Sequence, residues 1–313
     1  MPGVPQRLDL REEHLNRTIL LLAWPAIVEN LLHSLVYFAD TLVAGWLRDE
    51  RALAASMVAG TLMFFASSPF AALAMAAASL VSRHWGEGDV ERARRCAGQS
   101  MALAFLFALG VMAAGWPLAG WAMRALGAEP GVAGLGALYF RIVLLSGLLG
   151  LPLMIANGIL RGAGDSRTPM LITLVMNLLN VIANIVLAFG WGPIPALGLA
   201  GIAWGTVIAR TTGGLLALAV LARGRHSVHL PLRSLVTLER PTLARVWRLS
   251  APAMAERVLH SGSHVIFIGI VGLLGTTALA ANNIGVHVES LAFMPGFGLS
   301  VAVATVVGQA VGA

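Results

Sequence analysis

Eight apolar runs, each about 20 residues or longer, constrain this chain more than any other feature, because a helix of that length crosses about 30 Å of hydrocarbon. They cover roughly residues 18–47, 52–82, 96–121, 135–159, 170–190, 199–222, 249–274 and 278–311. Several exceed the minimum, so tilted or protruding helices are expected. Backbone N–H and C=O groups in lipid must be satisfied within the segment, so such runs predict an all-α polytopic membrane protein. Composition agrees, since 58% of the 313 residues are hydrophobic and only 12% are charged, far outside the range of a soluble domain. A soluble enzyme is excluded on the same ground.

The basic residues set the orientation. All 21 are Arg and the net charge is +6. In one domain they would suggest nucleic acid, but they lie in short clusters between the apolar runs, so no nucleic-acid partner is expected. Arg7, Arg11 and Arg17 precede the first run; Arg83, Arg92, Arg94 and Arg95 follow the second; Arg161 and Arg167 follow the fourth. Arg223, Arg225, Arg233, Arg240, Arg245 and Arg248 follow the sixth. The opposite connections hold Arg48, Arg51 and Arg124, while Arg141, Arg210 and Arg257 read as lying near helix ends. The positive-inside rule then puts the N-terminus and the sixth connection in the cytoplasm, with the protein in the cell (inner) membrane. The polar start and the long first run argue against a cleaved signal. Cys96, the single cysteine, makes no intrachain disulfide. Gly192-Pro193-Ile194-Pro195 reads as an outward turn.

An internal repeat sets the domain organisation. Residues 22–34 align with 249–261, so that Pro25 meets Pro252, Glu29 meets Glu256, and Leu32-His33-Ser34 meets Leu259-His260-Ser261. The register then slips by a single residue, and Leu53 meets Leu279, Pro69 meets Pro295 and Gly86 meets Gly312. An even number of runs separates the copies, so both enter the membrane from the same side, as parallel repeats about an axis along the membrane normal. Residues 1–222 read as a six-helix lobe, 223–248 as a cytoplasmic linker with Pro231 and Pro241, and 249–313 as the start of a second lobe. Symmetry predicts four further helices, about 140 residues, so the chain reads as C-terminally truncated.

Asp40 is the first functional candidate. A carboxylate near the middle of a membrane helix costs a few kcal/mol unless it meets protein, water or an ion. At about 100° per residue, Glu29, His33 and Asp40 share one face of the first helix, with Tyr37 at its margin, and this stripe is expected to face the lobe interior. The alternative is a structural acid satisfied by neighbouring amides. Asn177, Asn180 and Asn184 recur at i, i+3 and i+7 on the fifth helix, suited to hydrogen-bond that carboxylate, to lend carbonyls to a cation, or to join helices. In the second copy, Glu256, His260, Ser263 and His264 form the matching stripe. Glu256 and Glu29 lie toward the cytoplasmic end, where they could line a vestibule or close it by hydrogen bonds. Glu289, near His287, could attract cationic substrates or serve the fold. Arg161, Asp165 and Arg167 read as a local ion-pair and capping network closed by Pro169. No clustered His/Cys spacing, paired-acid motif or phosphate loop occurs, so neither metal, cofactor nor enzymatic activity is expected.

The order and spacing of several motifs together resemble the multidrug and toxic compound extrusion (MATE) family. They are Trp24-Pro25-Ala26, Asp40-Thr41-Leu42-Val43-Ala44-Gly45, Leu160-Arg161-Gly162-Ala163-Gly164-Asp165, Leu197-Gly198-Leu199-Ala200-Gly201 through Thr206, and Phe293-Met294-Pro295-Gly296. The resemblance implies two six-helix lobes around a central cavity, and export of drug-like or cationic organic molecules in exchange for H⁺ or Na⁺ by alternating access. It also implies that Asp40 takes up the coupling cation, with Tyr139, Asn180, Asn184 and Thr206 around it, and that Pro25 is a hinge of the first helix. Asn184 departs from the pattern, since many relatives have Asp there, and His260 stands where one branch has a Glu ligand. Both departures favour H⁺ over Na⁺. The expected partners are the small-molecule substrates and membrane lipid, around a monomer. A lipid-linked precursor flippase of the same superfamily and a non-transporting scaffold are the alternatives.

Overall fold

The computed structural model describes residue 8 and residues 12–224, 229–230, 239–273 and 276–313. Among them run α1 (Glu12–Trp46), α2 (Glu50–Glu87), α3 (Val90–Ala125), α4 (Pro130–Leu145), α5 (Gly147–Gly162), α6 (Arg167–Phe189), α7 (Leu199–Arg223), α8 (Arg240–Leu273) and α9 (Thr276–Gly312). Large apolar side chains such as Leu106, Trp121, Ile182, Leu259 and Ile266 point outward, as lipid rather than water requires. Six described segments are long and apolar enough to cross a membrane, and the bent pair α4 and α5 makes a seventh. α8 spans the predicted seventh run but, with Glu256, Arg257, His260 and His264 along it, is not one of these.

α2 and α3 outrun their apolar runs, and each starts at an acid that caps it. The Asp49 carboxylate accepts from the backbone N–H of Arg51 at 3.0 Å and of Ala52 at 3.3 Å, and Asp89 accepts from that of Arg92 at 2.9 Å. α2 stops at Gly88, whose φ of 78° suits a left-handed C-cap. Asp49→Ala is expected to cost about 1 kcal/mol. The check is the temperature at which the buried Cys96 thiol begins to react with a maleimide, which should fall slightly.

Two expectations need correction. The fourth run, expected as one helix over 135–159, is two helices meeting at 58°. The break falls at Ser146-Gly147, the kind of Gly/Ser pair that favours a kink, and the Ser146 hydroxyl donates to the Val143 carbonyl at 2.6 Å, drawing it from the helical ladder. Residues 240–248, read as linker, are instead the first turns of α8. Pro241 lies in the opening turn, where its missing N–H has no helical partner to lose, and Leu243 N–H bonds the Glu239 carbonyl at 2.8 Å. The remaining linker residues 225–228 and 231–238 lie outside the described residues. The outward turn after α6 is present, with Trp191 and Ile194 exchanging backbone hydrogen bonds of 3.2 and 3.1 Å.

α2 is the central helix, touching α3, α4, α5, α8 and α9. One apolar core gathers Phe70, Leu73, Met101, Ile155, Ile159 and Leu221, and a second gathers Met63, Met123, Phe140, Leu144 and Ile202. The repeat copies meet reciprocally: α1 packs on α9 as α2 packs on α8, and α2 meets α9 directly. At that last seam a Cβ on Gly86 would collide with the Gln309 carbonyl, and one on Gly312 with the Arg83 carbonyl. Since Gly86 corresponds to Gly312, and hence Arg83 to Gln309, each copy makes the other's contact. Gly308 likewise has no room for a side chain against Ser82. The buried Gln309 adds a side-chain bond from Nε2 to the Gly162 carbonyl at 3.1 Å, so the α5 end joins the seam.

Candidate functional site

α1 is tied to its own lobe at three heights. Beyond Pro25, which sits inside the helix, the Glu29 carboxylate meets α5, the Leu32 carbonyl meets α6, and the Asp40 carboxylate meets α6 again. The middle tie is the Asn177 amide donating to the Leu32 carbonyl at 2.6 Å. The Asn recurrence on α6 thus serves α1 along its length, with Asn177, Asn180 and Asn184 all buried.

The outer tie is the candidate cation site. The Asn184 amide donates to Asp40 Oδ1 at 2.5 Å and to Asn180 Oδ1 at 3.3 Å, and the Asn180 amide donates to Thr206 Oγ1 on α7 at 3.3 Å. Thr206 passes its own proton back to the Ile202 carbonyl at 3.1 Å. Asn180 and Thr206 also face the Asp40 carboxylate. Asn184 Oδ1 is buried without a hydrogen-bond partner, an oxygen left available beside the acid. This close approach of α6 to α7 depends on Gly205, because a Cβ there would collide with Asn184 Oδ1 and stand 2.8 Å from the Asn184 nitrogen. Asp40, Asn180, Asn184 and Thr206 therefore form one hydrogen-bonded chain across α1, α6 and α7. Tyr139 is buried on α4 and lines a cavity of about 360 Å³ with Leu47, Asp49 and Leu199.

The inner tie differs from expectation. Glu29 is only 3% exposed, and both its oxygens accept from Arg161 Nη1 at 2.9 Å while Oε1 also accepts from the Asn157 amide at 3.1 Å. Arg161 was expected in a local network with Asp165, whereas it reaches across to α1. Asp165 does cap α6, accepting from Thr168 N–H at 2.9 Å and from its hydroxyl at 2.6 Å. The expected stripe of α1 is thus divided: Glu29 is consumed by an ion pair, Asp40 joins the amides, and His33, 3.8 Å from Glu29, is 46% exposed. The side chains of Tyr37 and His287 lie outside those described.

The structure does not gather the second-copy candidates. Glu256, His260 and Glu289 are all exposed, and the Ser263 hydroxyl merely bonds the His260 carbonyl at 2.8 Å along α8. Phe267, which the repeat sets opposite Asp40, is an exposed apolar side chain. Sequence reasoning missed Asn157 and gave Arg161 another partner, although their i, i+4 spacing on α5 was a signal. It also missed Arg210, which stands midway along α7 rather than near its end.

Comparison with known proteins places this arrangement. The MatE family profile matches residues 25–186 and 252–313. A probable multidrug resistance protein NorM of Thermotoga maritima is 30% identical over 297 residues, covering 94% of this chain and 63% of that protein. A protein of the same description from Bradyrhizobium diazoefficiens is 31% identical over 313 residues, covering 99% and 66%. The chain therefore spans slightly under two thirds of the length of these curated relatives. Among solved structures, the outward-facing conformation of a multidrug resistance MATE family transporter superposes with a TM-score of 0.84 at 23% identity, over 95% of this chain and 65% of that one. MATE in the bent conformation superposes at 0.85 and 22%, over 99% and 66%. The profile takes in both repeat copies, Pro25 to Asn184 with Asp40 between them, and by that match the chain belongs to the MATE family of membrane transporters, which are not enzymes.

Proposed function

We propose that the full-length protein exports drug-like or cationic organic molecules from the cell in exchange for a cation, H⁺ or Na⁺, taken up at Asp40. The observation that carries this reading is the buried chain of side chains toward the C-terminal end of α1, in which a half-buried carboxylate is held by an amide rather than by a direct salt bridge. An acid so placed exchanges a small cation at low cost, whereas an acid already clamped by arginine, as Glu29 is, does not. The relatives named as multidrug resistance proteins support the substrate class. The Arg-rich loops support a cytoplasmic N-terminus in the inner membrane. The α2–α9 seam then closes the cytoplasmic side, and alternating access would require it to part. We read the transporter as a monomer in lipid, without a cofactor.

The test is transport of a fluorescent organic cation into liposomes by the full-length gene product, with H⁺ and Na⁺ gradients imposed separately. Asp40→Asn is expected to lower gradient-driven transport by about tenfold or more, the factor that about 1.4 kcal/mol of lost coupling represents. Wild-type rates in Asp40→Asn under both gradients would sink the proposal.

A further inference from the structure

Arg210 is the charge that this site has not yet accounted for. It is the twelfth residue of α7, so it lies roughly 17 Å along a helix that crosses about 30 Å of hydrocarbon. An arginine at that depth is costly unless it faces protein, water or an opposite charge, and it stays protonated throughout. Four residues after Thr206, Arg210 stands about 40° around the helix from it. Trp204, Ile208 and Leu215 form the outward face, so Arg210 is turned to the lobe interior. Its stem is laid along α5 by a glycine: a Cβ on Gly150 would stand 3.1 Å from Arg210 Cβ and 3.5 Å from Cδ. Gly214 keeps the next turn of α7 equally tight against Leu149. α7 is thereby fixed in rotation, with Thr206 and Arg210 presented to the same side. No carboxylate pairs directly with Arg210 among the described residues, and the charge it interacts with is Asp40.

The charges around the site can be assigned. Glu29 is matched by Arg161, and Asn184 and Asn180 are neutral. Asp40 and Arg210 remain, and Arg210 offsets part of the negative field at Asp40. A sodium ion is drawn into such a site by its negative field, which here is offset by a cation that never leaves. We propose that Arg210 is a specificity-determining residue, a built-in cation that stands electrostatically where a metal cation would stand near Asp40 and so excludes Na⁺ from this lobe. The inference rests on the reading of Asp40 as the exchange site. Asn184 acts in the same direction by supplying no second carboxylate.

The experiment measures ²²Na⁺ binding to the full-length protein in proteoliposomes, taking the part abolished by Asp40→Asn as the signal from this site. Wild type is expected to show none, and its transport is expected to respond to an H⁺ gradient alone. Arg210→Met combined with Asn184→Asp is expected to raise Asp40-dependent Na⁺ affinity by about tenfold or more over Asn184→Asp alone. Arg210→Gln with Asn184→Asp serves the same purpose if the apolar change fails to insert. Asp40-dependent Na⁺ binding in wild type, or no gain in a folded double variant, would overturn the assignment. Transport that ignores Asp40 altogether would defeat the exchange reading instead, and transport that needs Asp40 while running equally on Na⁺ would defeat only the role of Arg210.

Discussion

Arg161→Met should destabilise the protein by about 3–5 kcal/mol, a shift of hundreds to thousands in the folded-to-unfolded ratio, because it strands a buried carboxylate. Glu29 would keep only the Asn157 amide and the distant His33, itself half in solvent. The reverse change, Glu29→Gln, should be milder. The Arg161 side chain is 19% exposed and stands one residue from the end of α5, so its head can turn to water while its stem stays packed. Changing both residues to Met should recover most of the loss, because no charge then remains to be desolvated. Thermal reactivity of the buried Cys96 thiol gives the ranking. If Arg161→Met melts with the wild type, the ion pair does not hold α1 to α5.

Gly205→Leu should disconnect Asp40 from α6 without touching either charged residue. The added side chain meets the backbone of Ala183 and Asn184 and the Asn184 amide, none of which is a flexible end that can swing aside. Overpacking of this kind costs about 1–3 kcal/mol. Gly201, one turn earlier, is equally tight against Leu187, so α7 cannot tilt away about that point. The expected protein inserts, melts lower, and loses cation-driven transport by about tenfold or more, as Asp40→Asn does. Ile208→Ala, on the outward face of the same helix, should leave transport near wild type. Equal transport by Gly205→Leu and wild type would show that the Asn184 contact is dispensable.

The helices were legible in the chain because lipid demands long apolar runs, and the repeat was legible because Pro25, Glu29 and His33 recur at fixed spacing. Asp40 stood out as a carboxylate inside an apolar run, and its Asn partners as a recurrence on one helix face. What the chain did not reveal was cover. Periodicity puts Glu29, His33 and Asp40 on one face, but whether an arginine, an amide or open space lies opposite depends on helices more than a hundred residues away. Arg161 illustrates this: by position it reads as part of a loop cluster, and only the fold brings the end of α5 to Glu29 on α1. Arg210 was misplaced because an arginine counts as a boundary marker when topology is read from charge. The kink at Ser146-Gly147 escaped because hydropathy runs through it unbroken.

The seam between α2 and α9 carries a consequence beyond closure. Gly86 meets the Gln309 backbone as Gly312 meets that of Arg83, which is the geometry of a homodimer interface drawn within one polypeptide. A single-lobe ancestor carrying this surface would have needed no other partner than a second copy of itself. Gene duplication would then have tethered an association that already existed. Positions 86 and 312 are accordingly held to glycine, because each meets partner backbone that no change of side chain at 309 or 83 can withdraw.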